Sequence, residues 1–332
     1  MGVFSFALKG NYKRFYNDLK ELSKTTHKSA LRMFIDTALC TVRYGSGLQD
    51  YLNFQFYNKK HKQRKTYVSV GYLDKVITKL SNIKWSPYIS NKTNFHKNYG
   101  PYARRDFFDP DTGLEGLKAF LERNPVFIYK PQIGQCGEGV AKLKAAEITD
   151  LNAFYEKALE ERACIEELVK QHPAWEALSP GCVNTMRIIT GAAKGKSWML
   201  FASTRVGAPN CVADNFHMGG SAVLIDMETG KLTGNGIDKK LNEHEFSTTG
   251  IRFDGYEVPF WEDIKKLVLD AALVNDQIHF IGWDVAVTPD GPLIIEGNRG
   301  SGFDLPQVIA KRGMKDMLDT LIKDVERLEN EA

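Results

Sequence analysis

The 332-residue chain has no run of about 18 or more apolar residues, so no segment predicts a membrane-spanning helix. Its five cysteines, Cys40, Cys136, Cys164, Cys182 and Cys211, are odd in number, widely spread and without a Cys-x-x-Cys pair. That pattern excludes a disulfide scaffold and a zinc-finger-type site, and it predicts a reducing, cytoplasmic setting. No Gly-Lys-Ser/Thr triplet follows a glycine-rich turn, which excludes a P-loop. No nucleophile elbow or Cys–His arrangement is present, so covalent catalysis by a side chain is not expected. The opening Met-Gly-Val-Phe-Ser-Phe lacks a secretory apolar core, and its serine, at position 5, misses the myristoylation pattern. Internal repeats, low-complexity tracts and recognised RNA- or DNA-binding motifs are also lacking, so no nucleic-acid partner is expected.

What is present is ordinary in amount and uneven in arrangement. Apolar residues make up 43% and charged residues 26%, the balance of a soluble globular protein. The net charge is only +3, yet residues 1–105 hold 14 Lys and 6 Arg against 4 Asp and 1 Glu, an excess of 15 positive charges, which leaves −12 for the rest. A basic first third suggests an anionic partner, a membrane surface, an acidic polysaccharide or, less favoured for want of a binding motif, nucleic acid, with a merely solvated face as the alternative. Contact at the inner face of the membrane is therefore left open beside the cytoplasmic expectation. Phe4, Leu8, Phe15, Leu19 and Leu22 recur at helical spacing, a stripe expected to pack on the protein itself. Lys59-Lys60-His61-Lys62-Gln63-Arg64-Lys65 adds a basic run.

The most informative stretch is residues 281–300. Two apolar runs flank Pro289-Asp290-Gly291-Pro292, which predicts a β-hairpin. Asp284 lies on the first strand, while Glu296 and Asn298, two apart on the second, share a face. Hard oxygen donors converging from paired strands suit Mg²⁺ that also binds phosphate. Upstream, Val126-Phe127-Ile128-Tyr129 predicts a buried strand ending in Lys130-Pro131, followed by the glycine-rich Gly134-Gln135-Cys136-Gly137-Glu138-Gly139. A lysine beside such a turn can hold phosphates with its ammonium and with backbone N–H groups.

In order and spacing, these motifs resemble the ATP-grasp superfamily, and most of all its branch associated with sugar transfer and polysaccharide genes. The likeness covers roughly residues 85–325 and includes Cys164-Ile165-Glu166-Glu167-Leu168-Val169, Asn184-Thr185-Met186-Arg187 and Gly219-Gly220. It implies the following roles. Lys92 is the first nucleotide lysine, near the α-phosphate, and Lys130 the second, on the α- and β-phosphates. Gly134, Gly137 and Gly139 belong to the flap over the triphosphate. Glu166, Glu167 and Val169 lie in the hinge that binds adenine, largely through backbone. Arg187 stabilises the transferring phosphate. Asp284, Glu296 and Asn298 hold Mg²⁺, with Glu296 bridging two ions and Mn²⁺ an acceptable substitute. Beyond these implied roles, Arg205 and His217, lying between Arg187 and Asp284 in the sequence, are candidates for the substrate side, His217 as a base for an amine or as a structural histidine. Where many members carry a carboxylate for the ribose, this chain reads Lys170-Gln171-His172-Pro173.

The implied activity is an ATP-dependent ligase. It would activate a sugar acid or amino acid as an acyl phosphate and join it to an amine, in capsule or other surface-polysaccharide assembly. Phosphotransfer to a sugar, and a non-catalytic nucleotide- or glycan-binding role, are the alternatives. The fold class expected is α+β, an ATP-grasp fold with a nucleotide cleft between two α+β subdomains. A helical basic region at 1–84 precedes an ATP-grasp region at 85–330, which comprises a polar connector with Lys92 (85–125), a flap subdomain (126–170) and a metal and substrate subdomain (171–330). Strands are expected at 163–169, 183–194, 197–206 and 220–226, and helices at 66–84, 113–123, 150–162, 259–277 and 314–327.

Overall fold

The computed structural model describes residues 11–132, 139–207 and 220–331. Its longer helices are α1 (Tyr12–Thr26), α2 (Ala30–Tyr44), α3 (Val70–Leu80), α4 (Lys92–Ala103), α5 (Gly113–Arg123), α6 (Leu151–Glu160), α7 (Trp261–Ala272) and α8 (Lys315–Asn330). The chain divides into two compact units, Met1–Leu80 with Gly302–Ala332, and Ser81–Ser301.

In the first unit, the Asn11 side chain caps α1 by accepting from the Arg14 amide at 3.0 Å. Gly45, in the left-handed region at φ 65°, ends α2. Phe15 and Leu19 turn inward against Met33, Cys40, Tyr51, Phe54 and Phe56, so the described part of the predicted stripe faces the core; Phe4 and Leu8 lie outside the described residues. The basic run divides. Arg64 is a structural cation whose guanidinium donates to Asp36 Oδ1 at 2.8 Å and Oδ2 at 2.7 Å. Lys60, Lys62 and Lys65 are exposed. Residues 302–330, which the sequence reading assigned to the metal and substrate subdomain, group with this unit instead. The reason is that α8 packs on α3, with Tyr72 donating to the Asp319 carboxylate and Lys79 pairing with Glu326 at 2.5 Å.

In the second unit, α4 occupies part of the expected connector. Asn91 caps it, accepting from the Asn94 amide at 2.9 Å. The helix kinks at Tyr99 (φ −118°, ψ 20°) ahead of Pro101. Tertiary packing overrides that breaker, because Phe95 and Tyr99 stack with ring centres 5.2 Å apart and Tyr99 meets Trp283 edge-on in the core.

Strands β1 (Val126–Lys130), β2 (Ala141–Lys144) and β3 (Cys164–Glu167) form a small antiparallel sheet in the order β2-β1-β3. Phe127, Tyr129 and Ile165 point to one face and are buried with Leu117 and Phe120 of α5. Ile128, Lys130, Cys164 and Glu166 therefore share the other face. A seven-stranded antiparallel sheet holds β4 (Met186–Ala193), β5 (Lys196–Val206), β6 (Ser221–Ile225), β7 (Leu232–Asp238), β8 (Glu243–His244), β9 (Phe280–Thr288) and β10 (Gly291–Arg299) in the order β10-β9-β4-β5-β6-β7-β8. Ile264, Leu267 and Val268 of α7 cover one face, packing with Ile188, Trp283 and Val285. The sequence reading did not place β7 and β8. Gly236 serves packing, since a Cβ there would lie 2.8 Å from the Phe253 ring. Antiparallel sheets with segregated helices make this an α+β protein, as expected.

Candidate active site

The site begins with register. Arg187 on β4 stands opposite Asp284 on the neighbouring β9, and Asp284 stands opposite Glu296 on β10. These three residues form one row across three strands. The β9–β10 pairing shifts at Ile295, so that bulge is what sets Glu296 against Asp284. Asn298 lies two residues on, and its amide donates to Glu296 Oε1 at 3.2 Å.

Asp284 is only 4% exposed and is neutralised by two arginines. Arg187 donates through Nε to Oδ1 at 2.5 Å and through Nη2 to Oδ2 at 3.1 Å, with Nη1 on Ser301 Oγ at 3.1 Å. Arg205 donates to Oδ2 at 2.9 Å and to Thr185 Oγ1 at 2.7 Å. Burial alone would raise the Asp284 pKa, but Arg187 and then Arg205 overcome it and hold the carboxyl well below its ordinary value. Glu296 behaves oppositely. Burial and the adjacent Asp284 charge push its pKa up, opposed more weakly by Lys130, Asn298 and Arg187. Lys130 thus acts electrostatically on β10 from the end of β1.

A second cluster surrounds Glu166, which is 3% exposed. Lys130 pairs with Glu166 Oε1, Arg105 Nη1 lies 3.2 Å from the same oxygen, and His96 Nε2 lies 2.9 Å from Oε2. Burial would raise the Glu166 pKa, yet Arg105 and Lys130 drive it far below the usual range. Burial lowers the pKa of His96 although Glu166 pulls it up. His96, Cys164 and Glu166 bring ligand atoms within 4.8 Å of one another. Burial pushes the Cys164 thiol up to about 12, and both Glu166 oxygens are already engaged by Arg105, Lys130 and His96.

Arg105 also reaches the β10 bulge. Its Nη2 donates to the carbonyls of Ile294 at 3.4 Å and Ile295 at 3.0 Å, immediately before Glu296. Lys92, at the first position of α4, donates from Nζ to Pro131 O at 2.8 Å, one residue past Lys130. Glu167 turns away from this face, and its carboxylate accepts from the Asp106 amide at 3.0 Å. Val169 lies beyond the end of β3, outside sheet pairing. Gly139 (φ 77°) closes the segment, where a Cβ would come 3.1 Å from Pro131. Gly134, Gly137 and His217 lie outside the described residues.

The structure therefore gathers Lys130, Arg187, Arg205, Asp284, Glu296 and Asn298, with Lys92 beside the Lys130 strand end. Sequence reasoning missed Arg105, His96 and Ser301, and named Thr185 only as part of the Asn184–Arg187 motif. Only the adjacent pair Arg104-Arg105, set between aromatic segments, offered a signal.

A family model described as sugar-transfer associated ATP-grasp matches residues 55–323. No curated protein matches the chain. Among solved structures, the ATP-grasp ligase PsnB complexed with a phosphomimetic variant of minimal precursor, Mg and ADP is 17% identical with a TM-score of 0.41, over 74% of this chain and 61% of that one. The D-alanine-D-alanine ligase from Coxiella burnetii is 14% identical with a TM-score of 0.45, over 76% of this chain and 61% of that one. The D-cycloserine synthetase DcsG is 11% identical with a TM-score of 0.44, over 74% and 73%. The chain thus spans 61% of the length of the first two.

Proposed function

The chain belongs to the sugar-transfer associated ATP-grasp family, and from that premise we propose that it is an ATP- and Mg²⁺-dependent ligase joining a carboxylate to an amine. The observation that carries the reading is the row Arg187–Asp284–Glu296, with Asn298 on the same strand face as Glu296 and the Lys130 charge acting on it. Residues of this type fit a divalent cation. Two acids stand side by side, and only Asp284 has guanidinium partners. The raised pKa of Glu296 marks an acid whose ionised form has too little positive charge beside it.

In this reading, Glu296 and Asn298 offer the metal oxygens, and Asp284 divides its charge between the metal and two arginines. Bound Mg²⁺–ATP would supply the phosphoryl group that activates the carboxylate, with its charge neutralised by the metal. Lys130 and Lys92 supply positive charge at the mouth of the flap segment. Glu166 keeps Lys130 aimed while the nucleotide is away. Arg187 and Arg205 are locked by Asp284, Ser301 and Thr185, so their charge needs no reorganisation during reaction. The substrate proposed is a sugar acid or amino acid, and the setting surface-polysaccharide assembly, on the strength of the family alone.

The test is product analysis with ATP, Mg²⁺ and panels of sugar acids paired with amines. An amide together with free phosphate supports the ligase. A phosphorylated sugar without free phosphate would replace that reading with phosphotransfer.

A further inference from the structure

Helix α2 carries two apolar stripes, and only one of them is buried. Met33, Thr37 and Cys40 face the core of the first unit. Leu31, Ile35, Leu39 and Val42 are 58%, 53%, 63% and 76% exposed. At 3.6 residues per turn these four fall within an arc of about 80°, opposite the buried stripe. Ala38, also exposed, lies just beyond the edge of that arc. Arg32 and Arg43 are exposed along one flank, and neither has an ion-pair partner among the described residues. The only acid of the helix, Asp36, is turned to Arg64. A soluble surface helix normally shows water its polar face, whereas this one shows water leucine, isoleucine and valine bordered by arginine.

We infer that the outer face of α2 lies on an anionic lipid surface, with Leu31, Ile35, Leu39 and Val42 entering the acyl boundary and Arg32 and Arg43 meeting acidic headgroups. Charge complementarity selects this occupant. An anionic glycan would satisfy the arginines but leave the aliphatic stripe in water. A second copy docked antiparallel, face to face, would bring the unpaired arginines of both copies together. An apolar stripe with a basic border suits a helix lying in the headgroup plane. Among the described residues no helix is long and apolar enough to cross a membrane. The inference is independent of the ligase reading, because every residue it uses lies in the first unit.

The experiment is co-sedimentation of the full chain with vesicles of phosphatidylcholine alone or with phosphatidylglycerol, at low and high salt. Wild type is expected to pellet with the phosphatidylglycerol vesicles and to release as salt rises, since surface attraction is screened beyond about 8 Å at physiological ionic strength. Leu39→Ser with Val42→Ser should weaken the partition at least about tenfold at either salt. Arg32→Gln with Arg43→Gln should weaken it at low salt only. Both pairs of positions are exposed, and an unchanged thermal melt checks that each variant folds. Absence of vesicle binding by wild type overturns the inference, as does wild-type binding by the Leu39→Ser/Val42→Ser variant. A wild-type dimer in light scattering that becomes monomeric in that variant also overturns it, by assigning the face to a second copy.

Discussion

Glu166 and Glu296 are the same residue type in the same unit, and the protein treats them oppositely. Glu166 sits on the small sheet with Lys130, Arg105 and His96 on its two oxygens, and its pKa falls far below normal. Glu296 sits on the large sheet beside another carboxylate, and its pKa rises. Burial pushes both upward; the local balance of charge decides the sign. A buried acid that already owns its cations is an anchor for them. One pressed against a second acid has room for a cation the chain itself does not provide. The two are also joined, because Arg105 holds Glu166 with one nitrogen and the carbonyls preceding Glu296 with another.

Substitutions at the two positions should separate these roles. The largest effect is expected from Glu296→Gln in a turnover assay with ATP and Mg²⁺, a loss on the order of a thousandfold, comparable to removing a key transition-state group. Its thermal stability without metal should hold or rise, since a strained charge is removed. Wild-type turnover in that variant would contradict the metal assignment. Glu166→Gln should instead act on folding. It leaves Lys130 and Arg105 without their counter-charge, and a buried pair broken in this way destabilises by about 3–5 kcal/mol. A denaturant titration in which this variant matched wild type would show Glu166 to be dispensable as an anchor.

A smaller effect separates the pair by pH. Glu296 binds more protons folded than unfolded between its ordinary pKa and its raised one, so its contribution to metal-free stability falls as pH rises through that window. Glu166 and Asp284 are depressed, so their contributions are present above the ordinary carboxylate range and are lost as pH falls through the acid end. Denaturant titrations of metal-free wild type and Glu296→Gln should therefore diverge as pH rises above the ordinary carboxylate pKa. Parallel curves would mean that Glu296 carries no strained charge.

Local signals account for what was legible. The hairpin at 281–300, the strand ending in Lys130 and the face shared by Glu296 and Asn298 follow from alternation and turn residues only a few positions apart. What the sequence hid depends on distance or packing. Arg105 cannot be linked to Glu166, 61 residues away, or to the carbonyl of Ile295, 190 away, without the fold. α4 was obscured because Gly100-Pro101 looks like a stop, whereas the core residues Tyr99 and Trp283 tolerate a kink there. The return of α8 to the first unit rests on Tyr72 and Asp319, 247 residues apart. The bulge at Ile295 that aligns Glu296 with Asp284 is a feature of pairing and has no mark of its own in the chain.

Glu296 is the acid proposed to receive the cation. Calorimetric titration of Mn²⁺ into the chain holding a non-hydrolysable ATP analogue tests it without relying on turnover. Wild type is expected to bind tightly, with affinity that strengthens with pH as Glu296 loses its proton, and Glu296→Gln is expected to lose at least about tenfold. Equal affinity in wild type and Glu296→Gln across that pH range would contradict it.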